Sequence, residues 1–216
     1  MSALQHLRTV SRHRKLVRQG CFSVGLYRQG LLHDLSKYSP SEFLVGAKYF
    51  QGTRSPNNAE RDDIGYSSAW LHHKGRNKHH YEYWIDYSLH CAQAGMHGMM
   101  PAPMPIRYIV EMLMDRVAAC KVYNGTSYTT SSPIEYYNKG LDPAPMHPKT
   151  RAFLELFLHM IEVWGEEDTY TFIKENILSR ARKFDDKNNL QFCLDYCARG
   201  EKRLNKDREL RQKGNR

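Results

Sequence analysis

Apolar residues recur along this chain at helical rather than strand spacing. Leu4, Leu7, Val10, Leu16 and Val17 mark one amphipathic face, and Phe22, Val24, Leu26, Leu31, Leu32 and Leu35 continue it in a second segment. Ser39-Pro40-Ser41-Glu42 reads as a capping box with Pro at the first helical position, which predicts a helix from there to about Phe50. Gln51 to Asn58 has the composition of a surface loop. A helix from about Arg61 should end near Lys74, with Gly75 as its cap. Gly95 to Pro105, with two Gly, three Pro and four Met, predicts an irregular loop. Pro105 then opens a helix carrying Ile106, Ile109, Val110, Leu113, Met114 and Val117, which Asn124-Gly125 closes. Ser132-Pro133-Ile134-Glu135 is a second capping box, and Pro143, Pro145 and Pro148 break the chain before the apolar segment Phe153 to Trp164. From Lys187 the pattern is helical and then highly polar. Tyr81, Tyr83, Ile85 and Tyr87 form the nearest strand candidate, where period two and period 3.6 fit equally. The reading is all-α, with one domain over residues 1–198 and a basic C-terminal tail over residues 199–216.

Composition narrows the class without naming a chemistry. The 216 residues are 41% hydrophobic and 25% charged, ordinary for a globular protein. No run of about 18 apolar residues predicts a membrane span, and the first ten residues do not read as a secretory signal. Five Cys without a Cys-x-x-Cys pair argue against a disulfide framework and suit the cytoplasm. A formal net charge of +9 favours anionic partners, whether phosphorylated substrates, nucleic acid or an acidic membrane surface, and does not choose among them. The Arg199 to Arg216 segment, with eight basic and three acidic residues, carries no nucleic-acid motif and reads as a solvated helix end.

Histidine is the informative excess. Nine of the 11 His lie in the first half of the chain, and four crowd into Leu71-His72-His73-Lys74-Gly75-Arg76-Asn77-Lys78-His79-His80. Neutral imidazole is the commonest protein ligand for transition metals, and one member of each pair is expected to point inward. His33-Asp34 ends the apolar segment Gly30-Leu31-Leu32, so both polar groups are expected at a buried helix end. Asp115, flanked by Met114, Val117 and Ala118, borders an apolar helix face and needs a cation, a metal or a strong donor. His13 is a fourth candidate, on the first helix.

The order His13, His33-Asp34, His72 or His73, His79 or His80, Asp115 resembles the HD-domain superfamily of all-α metal-dependent phosphohydrolases, in its bimetal branch. His33-Asp34-Leu35-Ser36-Lys37 is similar to the His-Asp-x-Gly-Lys signature of several branches, with Ser36 in place of Gly. The likeness spans about residues 10 to 120, and the Gly-Tyr-Pro motif of the cyclic-dinucleotide branch is missing. The resemblance implies one or two divalent transition-metal ions, Fe, Mn, Co or Zn. His33, Asp34 and Asp115 would bind one ion with His13 closing its shell; Asp34 would bridge to a second, completed by His73 and His80, with His72 and His79 the alternatives. The free members of the pairs, His72 and His79, would move protons, while Lys37, Arg76 and Lys78 would neutralise developing charge. The reaction implied is hydrolysis of a small phosphorylated compound, a nucleotide among the candidates. Two rivals fit the same residues: a di-iron oxygenase of the HD type that includes inositol oxygenase, and a non-catalytic basic binding protein.

Overall fold

The computed structural model describes residues 3–89, 98–140 and 145–214; Gly95, Pro143 and Arg216, named in the sequence analysis, lie outside them. The architecture is predominantly all-α. Helix α1 (Ala3–Ser23) is followed by α2 (Tyr27–Leu32), a 3-10 turn (Leu35–Tyr38), α3 (Pro40–Tyr49), α4 (Pro56–Ile64) and α5 (Ser68–Lys74). A short antiparallel ribbon, β1 (Ile85–Tyr87) with β2 (Met99–Pro101), pairs Ile85 with Pro101 and Tyr87 with Met99. Then come α6 (Ile106–Asn124), α7 (Ser132–Lys139), α8 (Pro148–Trp164) and α9 (Glu166–Phe172). A π-helical turn (Ile173–Ile177), a 3-10 turn (Leu178–Arg180) and α10 (Ala181–Phe184) lead to α11 (Leu190–Gly214). No helix among the described residues is long and apolar enough to cross a membrane.

The core is built around α8. Phe153, Leu154, Leu156, Phe157, Leu158 and Ile161 are all fully buried among α6, α7, α9 and α11, while Arg151, Glu155, His159 and Glu162 form a half-buried polar stripe on the same helix. Each such side chain contributes about 1.5–3 kcal/mol through burial. Helix α6 has two roles. Its Ile106, Ile109, Leu113 and Val117 join this core, while buried Glu111 and partly buried Asp115 serve the side where α1 packs.

Several elements differ from the periodicity, each for a local reason. The buried stripe of α1 is His6, Val10, His13, Val17 and Cys21, whereas Leu4 and Leu7 are exposed; histidines occupy places that hydrophobicity assigned to leucines. Leu31, Leu32 and Leu35 are likewise about half exposed, because α2 meets α1 through buried Gly30. The helix expected over 61–74 is two helices. Gly65, at φ 82°, ends α4, and Ser67 caps α5 by accepting the N–H of Trp70. Buried Glu60 ties this corner by accepting bonds from Ser67 Oγ (2.6 Å), Ser68 N (3.1 Å) and Ser68 Oγ (2.5 Å). The strand candidate divides, with Tyr81–Trp84 in a 3-10 turn and Ile85–Tyr87 in the ribbon; its partner Met99–Pro101 falls in the segment expected to be irregular.

The C-terminal segment continues α11 through position 199 without a break. Leu204 is fully buried, Trp164 Nε1 donates to Asp207 (3.0 Å), Arg208 pairs with Glu162 (2.6 Å), and Arg211 donates to the Val163 carbonyl.

Candidate metal centre

Four segments deliver the cluster. His13 comes from α1, His33 and Asp34 from the turn after α2, His73 from the last turn of α5 with His79 and His80 just beyond it, and Asp115 from α6. The His33-Asp34 turn is held by Arg14, which donates from Nε to the His33 carbonyl (2.8 Å) and from Nη2 to the Leu31 carbonyl (3.1 Å). Asp34 has φ 54° and is the only non-glycine residue in the left-handed region among those described. Aspartate tolerates that region better than most residues, but such backbone still costs about 1 kcal/mol or more and concentrates where a side chain must be aimed. Here it aims a fully buried carboxylate between two sets of imidazoles.

The two oxygens of that carboxylate have different neighbours. Oδ1 lies 3.2 Å from His73 Nε2 and 3.3 Å from His79 Nε2. Oδ2 lies 3.3 Å from His33 Nε2, 3.6 Å from His13 Nε2 and 2.6 Å from Lys37 Nζ. Asp115 Oδ1 closes the second side, 2.9 Å from His13 Nε2 and 3.6 Å from His33 Nε2. His80 Nε2 lies 2.9 Å from His73 Nε2. Of three donor groups with ligand atoms within 4.8 Å of one another, His13-His33-Asp34-Asp115 and Asp34-His73-His79-His80 share Asp34, and the third is His33-His79-Glu111.

Two glutamates orient the rings. Glu111 Oε1 accepts from His33 Nδ1 (3.0 Å) and lies 3.2 Å from His79 Nδ1. Glu42 accepts from His73 Nδ1 (2.7 Å) and His72 Nδ1 (2.6 Å). A carboxylate at Nδ1 fixes the proton there and leaves the Nε2 lone pair directed inward, the arrangement found behind metal-bound histidines. Ser36 and Asn77 also approach His73 Nδ1, at 3.2 Å and 3.1 Å.

The residues fit a divalent transition metal. His13 Nε2, His33 Nε2, both oxygens of Asp34 and His79 Nε2 are buried and face one another and Asp115 across close contacts, with Lys37 paired to Asp34. Buried N and O atoms packed this closely are costly without a cation or shared protons among them, and the two groups on either side of Asp34 could each hold a metal ion. All are N or O donors, which suits Fe, Mn, Co or Zn. Burial opposes ionisation of Asp34, but the charges of His33, Lys37 and His73 outweigh it and hold the carboxyl well below its ordinary range. Asp115 is likewise lowered, burial being outweighed by bonds from His13 and His33. Burial and then the neighbouring His79 and His73 charges push His80 well down, keeping it neutral. For His33, burial is overcome by Asp34, Asp115 and Glu111, and its pKa is raised.

Of the residues singled out in the sequence, His13, His33, Asp34, His73, His80 and Asp115 come together, and Lys37 stands beside them. His79 joins them as an inward donor rather than a free partner: both members of this pair point in, because they lie on a non-helical turn. His72, one position from His73 on α5, turns to Glu42 instead of the centre. Arg76 is exposed, 3.4 Å from the His72 carbonyl, and Lys78 is exposed near the Tyr83 ring; neither reaches the cluster. Glu42 and Glu111 are the functional residues that sequence reasoning missed.

The DUF5662 model, described as a family of unknown function, matches residues 2–160. The chain belongs to that family. The DUF5662 match spans every residue of the centre, from His13 to Asp115, and reaches residue 160 in the core helix α8. No curated protein and no solved structure matches the chain. The buried His/Asp cluster is compatible with an HD-type site.

Proposed function

We propose that this protein is an HD-type metal-dependent phosphohydrolase acting on a small phosphorylated compound. The observation that carries the reading is one buried carboxylate, Asp34, shared between two donor groups with the ammonium of Lys37 at 2.6 Å. His13, His33, Asp34 and Asp115 would hold one ion, and Asp34, His73, His79 and His80 the other. Divalent ions held there supply Lewis acidity at the phosphoryl group and promote ionisation of the attacking water. Glu42 and Glu111 keep the imidazoles in the right tautomer. Lys37, ion-paired to the shared carboxylate and lining the adjacent cavity, attracts an anionic oxygen and offsets charge that builds on phosphorus. Four buried free thiols, Cys21, Cys120, Cys193 and Cys197, favour a reducing compartment, the cytoplasm.

The test is elemental analysis of the purified chain, then phosphate release from a panel of phosphomonoesters and diesters with Mn, Fe, Co or Zn added. One to two ions per chain and metal-dependent release of phosphate are expected. A fully metallated protein that releases no phosphate from any ester refutes the reading, and a mixed-valence di-iron resonance with dioxygen consumption would favour the oxygenase.

A further inference from the structure

Residues 1–33 carry six Arg and Lys side chains and no Asp or Glu. The first three carboxylates of the chain, Asp34, Glu42 and Glu60, are all buried, so the earliest one that meets solvent is Asp62. Arg14 holds the His33-Asp34 turn. The other five cations, Arg8, Arg12, Lys15, Arg18 and Arg28, are exposed and serve neither the core nor the metal centre.

These cations share one surface with unpartnered apolar groups. Helix α2 runs back along the outer side of α1. At its start Tyr27 packs edge-on against Phe22, 5.2 Å between ring centroids, and a Cβ at Gly30 would stand 2.9 Å from Cys21 Cβ. At its end Arg14 bonds the Leu31 and His33 carbonyls. Arg18, four residues from both Arg14 and Phe22, therefore sits on the stripe of α1 that borders α2, and Arg8, Arg12 and Lys15 form the next stripe outward. On α2 itself Tyr27, Leu31 and Leu32 are 60%, 53% and 51% exposed, and Arg28 precedes the two leucines by three and four residues, on their side of the helix. Helix α9 brings Glu166 and Glu167 beside Ser23, past the last cation of α1, and Glu166 is paired there with Lys121.

Single exposed leucines are ordinary, but an apolar ridge rimmed by charge marks an interaction site, and its partner must satisfy both halves. A nucleic acid would take the cations, yet aliphatic side chains neither bond to phosphate nor offer a ring for bases to stack on. A bilayer with anionic headgroups takes both: headgroups meet the Arg and Lys side chains, and the acyl boundary takes the leucines and the rings. We propose that the outer face of α1 and α2 docks on an anionic lipid bilayer, resting on the surface, since no described helix is long and apolar enough to cross it. His13 and His33 leave the same two helices on their inner side, so docking holds the metal centre about one helix diameter, roughly 10 Å, from the lipid. The proposal is independent of the phosphohydrolase reading.

Vesicle sedimentation with the full-length protein tests this, using phosphatidylcholine vesicles with and without about 30% phosphatidylserine. The wild type should bind the anionic vesicles about ten-fold or more tightly than the neutral ones, and lose most of that preference at about 1 M salt, where the Debye length falls to about 3 Å. Each cation near such a surface is worth about five-fold in affinity, so Arg12→Ala combined with Lys15→Ala should weaken binding about 25-fold. Leu31→Ser combined with Leu32→Ser should weaken it by about ten-fold or more, through lost apolar burial. Both double variants should keep the wild-type metal content and Tm. Should the leucine pair unsettle the fold, Tyr27→Trp gives a second measurement: brominated acyl chains should quench its added fluorescence. Wild-type protein indifferent to phosphatidylserine overturns the proposal. So does a folded leucine variant that binds as the wild type does, or a Tyr27→Trp protein that brominated lipid quenches no more than wild type. Binding to a duplex oligonucleotide with none to anionic vesicles overturns it in favour of nucleic acid.

Discussion

Replacing Asp34 with Asn removes one charge and one shared oxygen while changing little else. Asn enters the left-handed region as readily as Asp, so the φ of 54° adds no new backbone cost. The ionised carboxylate is held by Lys37, His33 and His73, and breaking a buried ion pair from one side costs about 3–5 kcal/mol. The Lys37 side chain is 31% exposed and can turn to water, which places the expectation near the lower bound, about 3 kcal/mol. At about 2–4 °C per kcal/mol for a chain of this size, metal-free Asp34→Asn should melt about 6–12 °C below the metal-free wild type. The metal response separates this from a merely structural role. An ion at one hundred times its Kd adds about 2.7 kcal/mol per site, which should raise the wild-type Tm by about 5–10 °C. Asp34→Asn lacks the anionic oxygens that both groups share, so it should hold at least one ion fewer per chain and show less than half of that rise. Calorimetry and elemental analysis on the same dialysed samples give both numbers. A helix-end cap would instead cost about 1 kcal/mol and leave the metal alone. A variant with its full metal complement and the full metal-induced rise refutes the shared-ligand geometry.

Glu111→Gln should weaken metal binding by about 10–100-fold with little change in the far-ultraviolet spectrum, because it releases the Nδ1 protons of His33 and His79 together; chelator competition measures it, and an unchanged affinity counts against the orienting role. The stability of metal-free protein should fall steeply below about pH 4, where the carboxylates protonate and the lowered histidines His6 and His80 already oppose folding. Asp34, Asp115, Glu42 and Glu111 have lowered pKa values, so their contribution is present above about pH 4 and is lost as pH falls through the folded values. His33 and His73 have raised values, so theirs is complete below about pH 6.5 and is lost as pH rises through the folded values. A urea midpoint no lower at pH 3 than at pH 6 would contradict this.

The helical class and much of the ligand set were legible because each rests on a local signal: apolar spacing, proline positions and adjacent histidines. What escaped notice depended on tertiary placement or had a plausible local use. Glu42 fits a capping box so well that no further role is needed, yet Ser39 makes no side-chain cap bond, and the glutamate faces His72 and His73. Glu111 had a readable signal, since it precedes Asp115 by four residues and two carboxylates at that spacing share one helix face. His79 and His80 could not be ranked by helical geometry because the turn holding them is not helical. The exposure of Leu4 and Leu7 was hidden for a related reason: periodicity locates a stripe, but His6 and His13 compete for it only once other segments supply partners.

Those two histidines connect the architecture to its chemistry. A stripe made of Leu at both positions would bury more apolar area and ask nothing of its neighbours. In their place, α1 carries polar rings that oblige the fold to provide Asp115 opposite one and a cavity beside the other. The stability forgone on this side is recovered on the far side of α6, where the apolar side chains of α8 are fully buried. The division explains why one helix, α6, holds both the apolar ridge of the core and the carboxylates of the centre. Any displacement of α6 against α1 would separate His13 from Asp115, so the core that α8 organises fixes the spacing of the ligands.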